Sequence, residues 1–162
     1  MTSTDADATT TAAGPLDPGP VLFAYDGCEL AGCAIEQAGK QLASGRDALV
    51  LCVWQPADVG FVPVGEQHFD AANAAEVHQA AHETAAQGAA LAEKAGFRAQ
   101  ILTEEAAPTW KGIVKVAQER NASLIVLGAH RHGPLAGHFV GSVASAVLAH
   151  SETSVLIVHQ RA

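Results

Sequence analysis

Residues 124–149 read LIVLGAHRHGPLAGHFVGSVASAVLA. The opening Leu124-Ile125-Val126-Leu127 is short and wholly apolar, as expected of a strand buried on both faces. Gly128 ends it. A glycine-bearing loop follows, and Gly141-Ser142 leads into a helical pattern from Val143 to Ala149. This order of strand, glycine, loop and helix start suits an anion cradle. Glycine lets backbone N–H groups approach a phosphate with no Cβ in the way. The first helical turn carries N–H groups with no internal partner, at the positive end of the helix dipole. Ser142 adds a hydroxyl, so phosphate binding is the leading expectation for this segment.

The rest of the chain repeats the strand–helix alternation. Val21-Leu22-Phe23-Ala24-Tyr25 reads as a strand ending at the turn signal Asp26-Gly27. Residues 29–43 place Leu30, Ala31, Ala34, Ile35, Ala38 and Leu42 close to one helical face. Ala48 to Trp54 is a second buried strand, and residues 55–67, with prolines and glycines, read as a loop. A long Ala-rich helix over about 69–95 is closed by Gly96. Phe97 to Leu102 alternates as a third strand. Pro108 sits at a helix start, where its missing N–H costs nothing, and Ile113, Val114, Val116 and Ala117 give that helix an apolar face. The last helix covers Gly141 to His150 and the fifth strand Ser154 to His159. Strands alternating with helices predict an α/β fold, a parallel sheet covered by helices on both faces. Ligands in such sheets bind beyond the carboxyl ends of strands where the strand order reverses. If the first and fourth strands are neighbours there, Asp26 and the Gly128 loop share a crevice.

Composition bounds the function. The 162 residues carry 49% hydrophobic and 16% charged residues and a formal net charge of -8. That fits one domain, residues 20–162, behind a tail of Thr, Ala, Asp, Gly and Pro over residues 1–19 that reads as disordered. The acidity argues against nucleic-acid or anionic-membrane binding, because no broad cationic surface is available. A small ligand phosphate needs only a local site. Three cysteines, Cys28, Cys33 and Cys52, fit neither a disulfide framework nor zinc spacing, and point to free thiols in a reducing cytoplasm. The amino-terminal residues lack a signal-peptide pattern, and no apolar run is long enough to span a membrane.

These residues resemble the universal stress protein family, whose nucleotide-binding members carry Gly, two residues, Gly, nine residues, Gly, then Ser or Thr. Gly128 and Gly141-Ser142 match in type and spacing. Asp26 after the first strand, Val53 late in the second, Pro108 with Ile113-Val114, and the end SVASAVLAHSETSVLIVH are also similar, so the resemblance covers roughly residues 20–160. It implies a doubly wound five-stranded parallel sheet of order 3-2-1-4-5. It also implies a homodimer paired through the last strand, Val155 to His159, and an adenine nucleotide as ligand. ATP leads, AMP and cyclic AMP are the alternatives, and magnesium accompanies the phosphates. Asp26 and Val53 would hold the ribose and base; Gly128, Arg131, Gly141 and Ser142 the phosphates. Arg131 stands where the family has its second glycine. It either fills the cradle and leaves a nucleotide-free dimerisation or interaction module, or points inward and supplies charge-assisted hydrogen bonds. A protein partner is expected but not identified by the residues.

Each position also has a plainer reading. Asp26 beside Gly27 suits an Asx-turn, Val53 is an ordinary buried-strand residue, Gly128 can simply end a strand, and Gly141-Ser142 can simply cap a helix. No base and orienting acid pair with Ser142, and the Walker sequence GxxxxGK[ST] is absent, so no catalytic residue is assigned and at most a weak ATPase is expected. His78 and His82 share a helix face, but HExxH is missing and solvent-facing polar residues are the simpler account. His130 and His132 flank Arg131 as loop residues. Cys28 lies near a helix start that favours a thiolate, or is a small inert residue. Trp54, next to Val53, either lies near a base or packs, and Trp110 packs.

Overall fold

The computed structural model describes residues 18–55, 71–129 and 140–159, with the side chains of 71–73 excepted. The elements are β1 (Val21–Ala24), α1 (Glu29–Gln41), β2 (Asp47–Trp54), α2 (Ala71–Lys94) and β3 (Arg98–Glu105), then α3 (Thr109–Glu119), β4 (Leu124–Gly128), α4 (Ser142–His150) and β5 (Ser154–Val158). The five strands form one sheet of order β3-β2-β1-β4-β5, and every pairing is parallel. The predicted order and class are those observed.

Side chains alternate across the sheet, which creates two cores. Val21, Phe23, Val50 and Val126 join Ala34, Ile35 and Ala38 of α1 and Ala89 and Ala92 of α2. Leu22, Leu49, Leu51, Ile125 and Leu127 join Ile113, Val114 and Ala117 of α3 and Ala144 and Val147 of α4. Helices α1 and α2 therefore cover one face and α3 and α4 the other. The chain winds outward from β1 through β2 to β3, then crosses to β4 and winds the other way. Right-handed crossovers force the helices onto opposite faces when that direction reverses.

The third strand is displaced from its expected span, Phe97 to Leu102, because the helix ending claims Phe97. Gly96 adopts φ +97°, its N–H donates to Glu93 O (3.0 Å), and Phe97 N–H donates to Ala92 O (3.0 Å). That is a Schellman ending, and the positive φ is what the glycine supplies. The Phe97 ring turns into the core, 5.2 Å from the Phe23 ring at 70°. β3 then runs to Glu105 because it pairs along the whole of β2, from Asp47↔Arg98 to Trp54↔Glu105. Pro108 is the residue capping α3 and Thr109 the first helical residue. At the opposite end of the sheet, Gly19 O accepts from Arg46 Nη2 (3.1 Å) and from Ser123 Oγ (3.1 Å), joining the starts of β1, β2 and β4. The rest of the predicted tail, residues 1–17, lies outside the described residues, as does most of the predicted loop 55–67.

Candidate functional site

β1 is short and its neighbour long, and this stagger opens the sheet end. The β1–β2 register stops at Ala24↔Leu51, with one further bond from Tyr25 N–H to Leu51 O (2.9 Å). In a parallel ladder every second residue faces the same neighbour. The next to face β1 is Val53, whose backbone amide and carbonyl therefore lie past the end of β1. On the other side, β1 pairs with β4 only through Val21↔Leu124, Leu22↔Ile125 and Phe23↔Val126. The connections of β1 and β4 leave in opposite directions, so their carboxyl ends diverge around a crevice.

A cavity of about 300 Å³ occupies this crevice. Asp26, Val53, Gly128, Gly141 and Ser142 all line it, brought together from three strand ends and the start of α4. Arg131, the sixth predicted residue, lies outside the described residues, as do His130 and His132. The wall is largely apolar, formed by Leu51, Val53, Ile113 and Leu127. Such a wall with few convergent polar groups is typical of small-molecule sites.

Polar groups mark the two ends. Asp26 is exposed, and its Oδ1 accepts from Cys28 N–H (3.0 Å). The Asx-turn reading is therefore correct, and the same turn directs the chain from β1 into α1 beside the cavity. Cys28 caps α1, its Sγ accepting from Ala31 N–H (3.4 Å). Burial pushes the Cys28 thiol pKa up, and its hydrogen bond to Asp26 adds to the rise. Those effects outweigh the helix-start amides, which favours the small, inert residue over the thiolate. Burial first, then the Asp26 charge, also raise the thiol of Cys52 and the phenol of Tyr25. Asp26 thus imposes a negative field on this end, and no Lys, Arg or His stands among the described lining residues.

At the other end, Gly141 caps α4 with φ -44° and ψ 161° and offers no side-chain acceptor to the first turn. Gly141 O accepts from Ser145 N–H (2.9 Å), while Ser142, Val143 and Ala144, the first residues of the helix, line the cavity. Gly141 and Ser142 therefore stand at once at a helix start and in the cavity wall. Gly128 has an additional physical reason. A Cβ there would lie 2.8 Å from both C and O of Leu30 and 3.1 Å from Ala31 N. Glycine is required by the close approach of β4 to α1.

Trp54 does not line the cavity. Adjacent strand residues point to opposite faces, so Val53 faces α3 while Trp54 packs against the Cys52, Ala81 and Ala85 cluster. Its ring centroid is 5.3 Å from that of His78. Trp110 stacks on His150 at 4.2 Å and 22°. His78 and His82 are exposed on α2, and His78 Nε2 lies 3.0 Å from Thr103 Oγ1. Among the described residues no group of three or more His, Cys, Asp or Glu could hold a metal ion, and no helix is long and apolar enough to cross a membrane. Sequence reasoning did not single out Thr109, Ile113 or Val143 as lining residues. Pro108 marked the start of a helix that follows a strand, and that position borders the crevice in a parallel sheet.

The sequence matches the pattern of the universal stress protein family over residues 19–159. The chain belongs to that family. The fold is shared with solved structures. Hypothetical protein MJ0577 is 20% identical with a TM-score of 0.72, the match covering 91% of this chain and 99% of that one. A universal stress protein in complex with cAMP is 26% identical with a TM-score of 0.60, covering 87% and 96%. The universal stress protein from Archaeoglobus fulgidus in complex with dAMP is 20% identical with a TM-score of 0.55, covering 86% and 96%. No curated protein matches the sequence significantly.

Proposed function

We propose that this universal stress protein is a cytoplasmic stress-response regulator that binds an adenine nucleotide, ATP foremost, in the crevice between β1 and β4. The observation that carries this reading is the cavity that gathers Asp26, Val53, Gly128, Gly141 and Ser142. Electrostatics orients the ligand. The Asp26 carboxylate accepts hydrogen bonds from ribose hydroxyls and repels phosphate, while amides at the start of α4 attract it. The backbone of Val53 and the apolar wall take the base. Ser142 would lie beside the phosphates, and magnesium bound with ATP would supply neutralisation of their charge there. A family relative of similar length is a complex with cAMP, which supports an adenine nucleotide here. The protein acts as a homodimer through Val155 to His159. β5 ends the sheet, with Val155, Leu156 and Ile157 only half-buried, so its outer edge calls for cover.

The test is mass spectrometry of ligand released from purified, denatured protein, with calorimetry against ATP and magnesium, AMP and cyclic AMP. Saturable binding is expected. No binding at millimolar nucleotide rejects the reading. One departure favours a second reading, the nucleotide-free interaction module: Arg131 in place of the motif glycine. Arg131→Gly separates the two. Weaker, less salt-sensitive ATP binding in the variant means the arginine assists; binding gained only in the variant means it blocks.

A further inference from the structure

The base end of the cavity carries a hydroxyl to which no role has yet been given. Thr109, the first residue of α3, lines the cavity and is half-buried. Three and four residues on, Gly112 and Ile113 lie on the same helical face. Ile113 also lines the cavity. A Cβ at Gly112 would fall 2.8 Å from Ala106 Cβ and 3.2 Å from both Cγ atoms of Val53. This face of α3 is therefore pressed onto Val53, and Thr109 stands one turn further out. Helical side chains tilt toward the amino terminus, which carries Thr109 over the sheet end beside Val53. Leu51, Val53, Ile113 and Leu127 of the same lining are apolar, and the other polar side chains that line the cavity are Tyr25, Asp26, Cys28 and Ser142. The cap of α3, Pro108, contributes no side-chain hydrogen bond.

We propose that Thr109 is a ligand-binding residue that reads the heterocycle, its hydroxyl hydrogen-bonding the edge of a base held between Val53 and α3. The inference rests on the nucleotide reading of the cavity and adds a specificity element to it. A hydroxyl in an apolar wall discriminates because a ligand lacking the matching group leaves it unpaired. Being donor and acceptor, it accepts either polarity of base edge and selects for a base whose edge reaches it.

The experiment compares wild type, Thr109→Val and Thr109→Ser by calorimetry with AMP and by competition with UMP. Valine keeps the shape and removes the hydroxyl; serine keeps the hydroxyl. Thr109→Val is expected to weaken AMP binding by about three- to tenfold and to shrink the preference for AMP over UMP, while Thr109→Ser stays near wild type. Equal loss for both nucleotides places Thr109 on the sugar or phosphate and overturns the proposal. So does AMP binding unchanged in Thr109→Val, or lost equally in Thr109→Ser. Thermal unfolding without ligand checks that all three proteins are folded; if the valine variant is not, Thr109→Ala takes its place as the variant without the hydroxyl. Wild type that binds no nucleotide instead fails the underlying reading, and the proposal with it.

Discussion

Gly128→Ala should destabilise this protein even with no nucleotide present. The methyl group would sit 2.8 Å from the carbonyl carbon and oxygen of Leu30 and 3.1 Å from the Ala31 nitrogen. Ordinary contact needs about 3.5 Å or more, so a shift of roughly 0.5 Å or more is required. None of the three atoms belongs to a side chain that can rotate away. They are backbone of α1, which is itself fixed by the buried Ala31, Ala34, Ile35 and Ala38. Overpacking of this kind costs about 1–3 kcal/mol. A loss of about 2 kcal/mol lowers the melting temperature of a domain this size by roughly 4–8 °C. Thermal and urea unfolding of the nucleotide-free variant measure it directly. Nucleotide binding should weaken as well, because Gly128 lines the cavity. Unchanged stability with binding lost would refute the packing argument and leave the glycine serving the ligand alone.

Three further outcomes are expected. Asp26→Asn keeps an Asx-turn acceptor for Cys28 N–H but removes the charge, so the raised thiol pKa values of Cys28 and Cys52 should fall while burial still holds them up. Faster alkylation of Cys28 at pH ~8 reports this, and an unchanged rate means the carboxylate does not act on the thiol. The same variant should bind nucleotide about tenfold more weakly, a loss of about 1.4 kcal/mol, which calorimetry measures. Arg98 Nε lies 2.7 Å from Asp47 Oδ1 and holds the Asp47 pKa below its ordinary value. A depressed folded-state pKa stabilises above the unfolded value of ~4 and is lost as pH falls through the folded value. Asp47→Asn should therefore lower the urea midpoint slightly at pH ~7 and not at pH ~2. A difference that persists at low pH removes this explanation.

Much of the architecture was legible because the relevant signals are local. Apolar runs such as Val21 to Ala24 and Leu124 to Leu127 become strands wherever both faces are buried. The glycine and serine spacing at Gly128 and Gly141-Ser142 marks a strand end and a helix start, and both border the cavity. Boundaries were less legible. The alternation beginning at Phe97 looked like strand, yet the Schellman ending after Gly96 claimed that residue for the helix. The length of β3 was set by its partner β2 rather than by its own pattern.

The sequence alone determined the order of elements, the strand-to-helix alternation and the residues suited to an anion, since each follows from periodicity or from the chemistry of neighbouring residues. Tertiary structure decided which of them meet. Asp26, Val53 and Ser142 share one cavity only because the winding direction reverses between β1 and β4. Val53 faces the cavity and Trp54 does not because the register fixes which face each side chain takes. Gly128 is required by a helix almost a hundred residues earlier in the chain, and Thr109 lines the cavity because the start of α3 packs over Val53 of β2. Such contacts are long-range, and no local pattern encodes them.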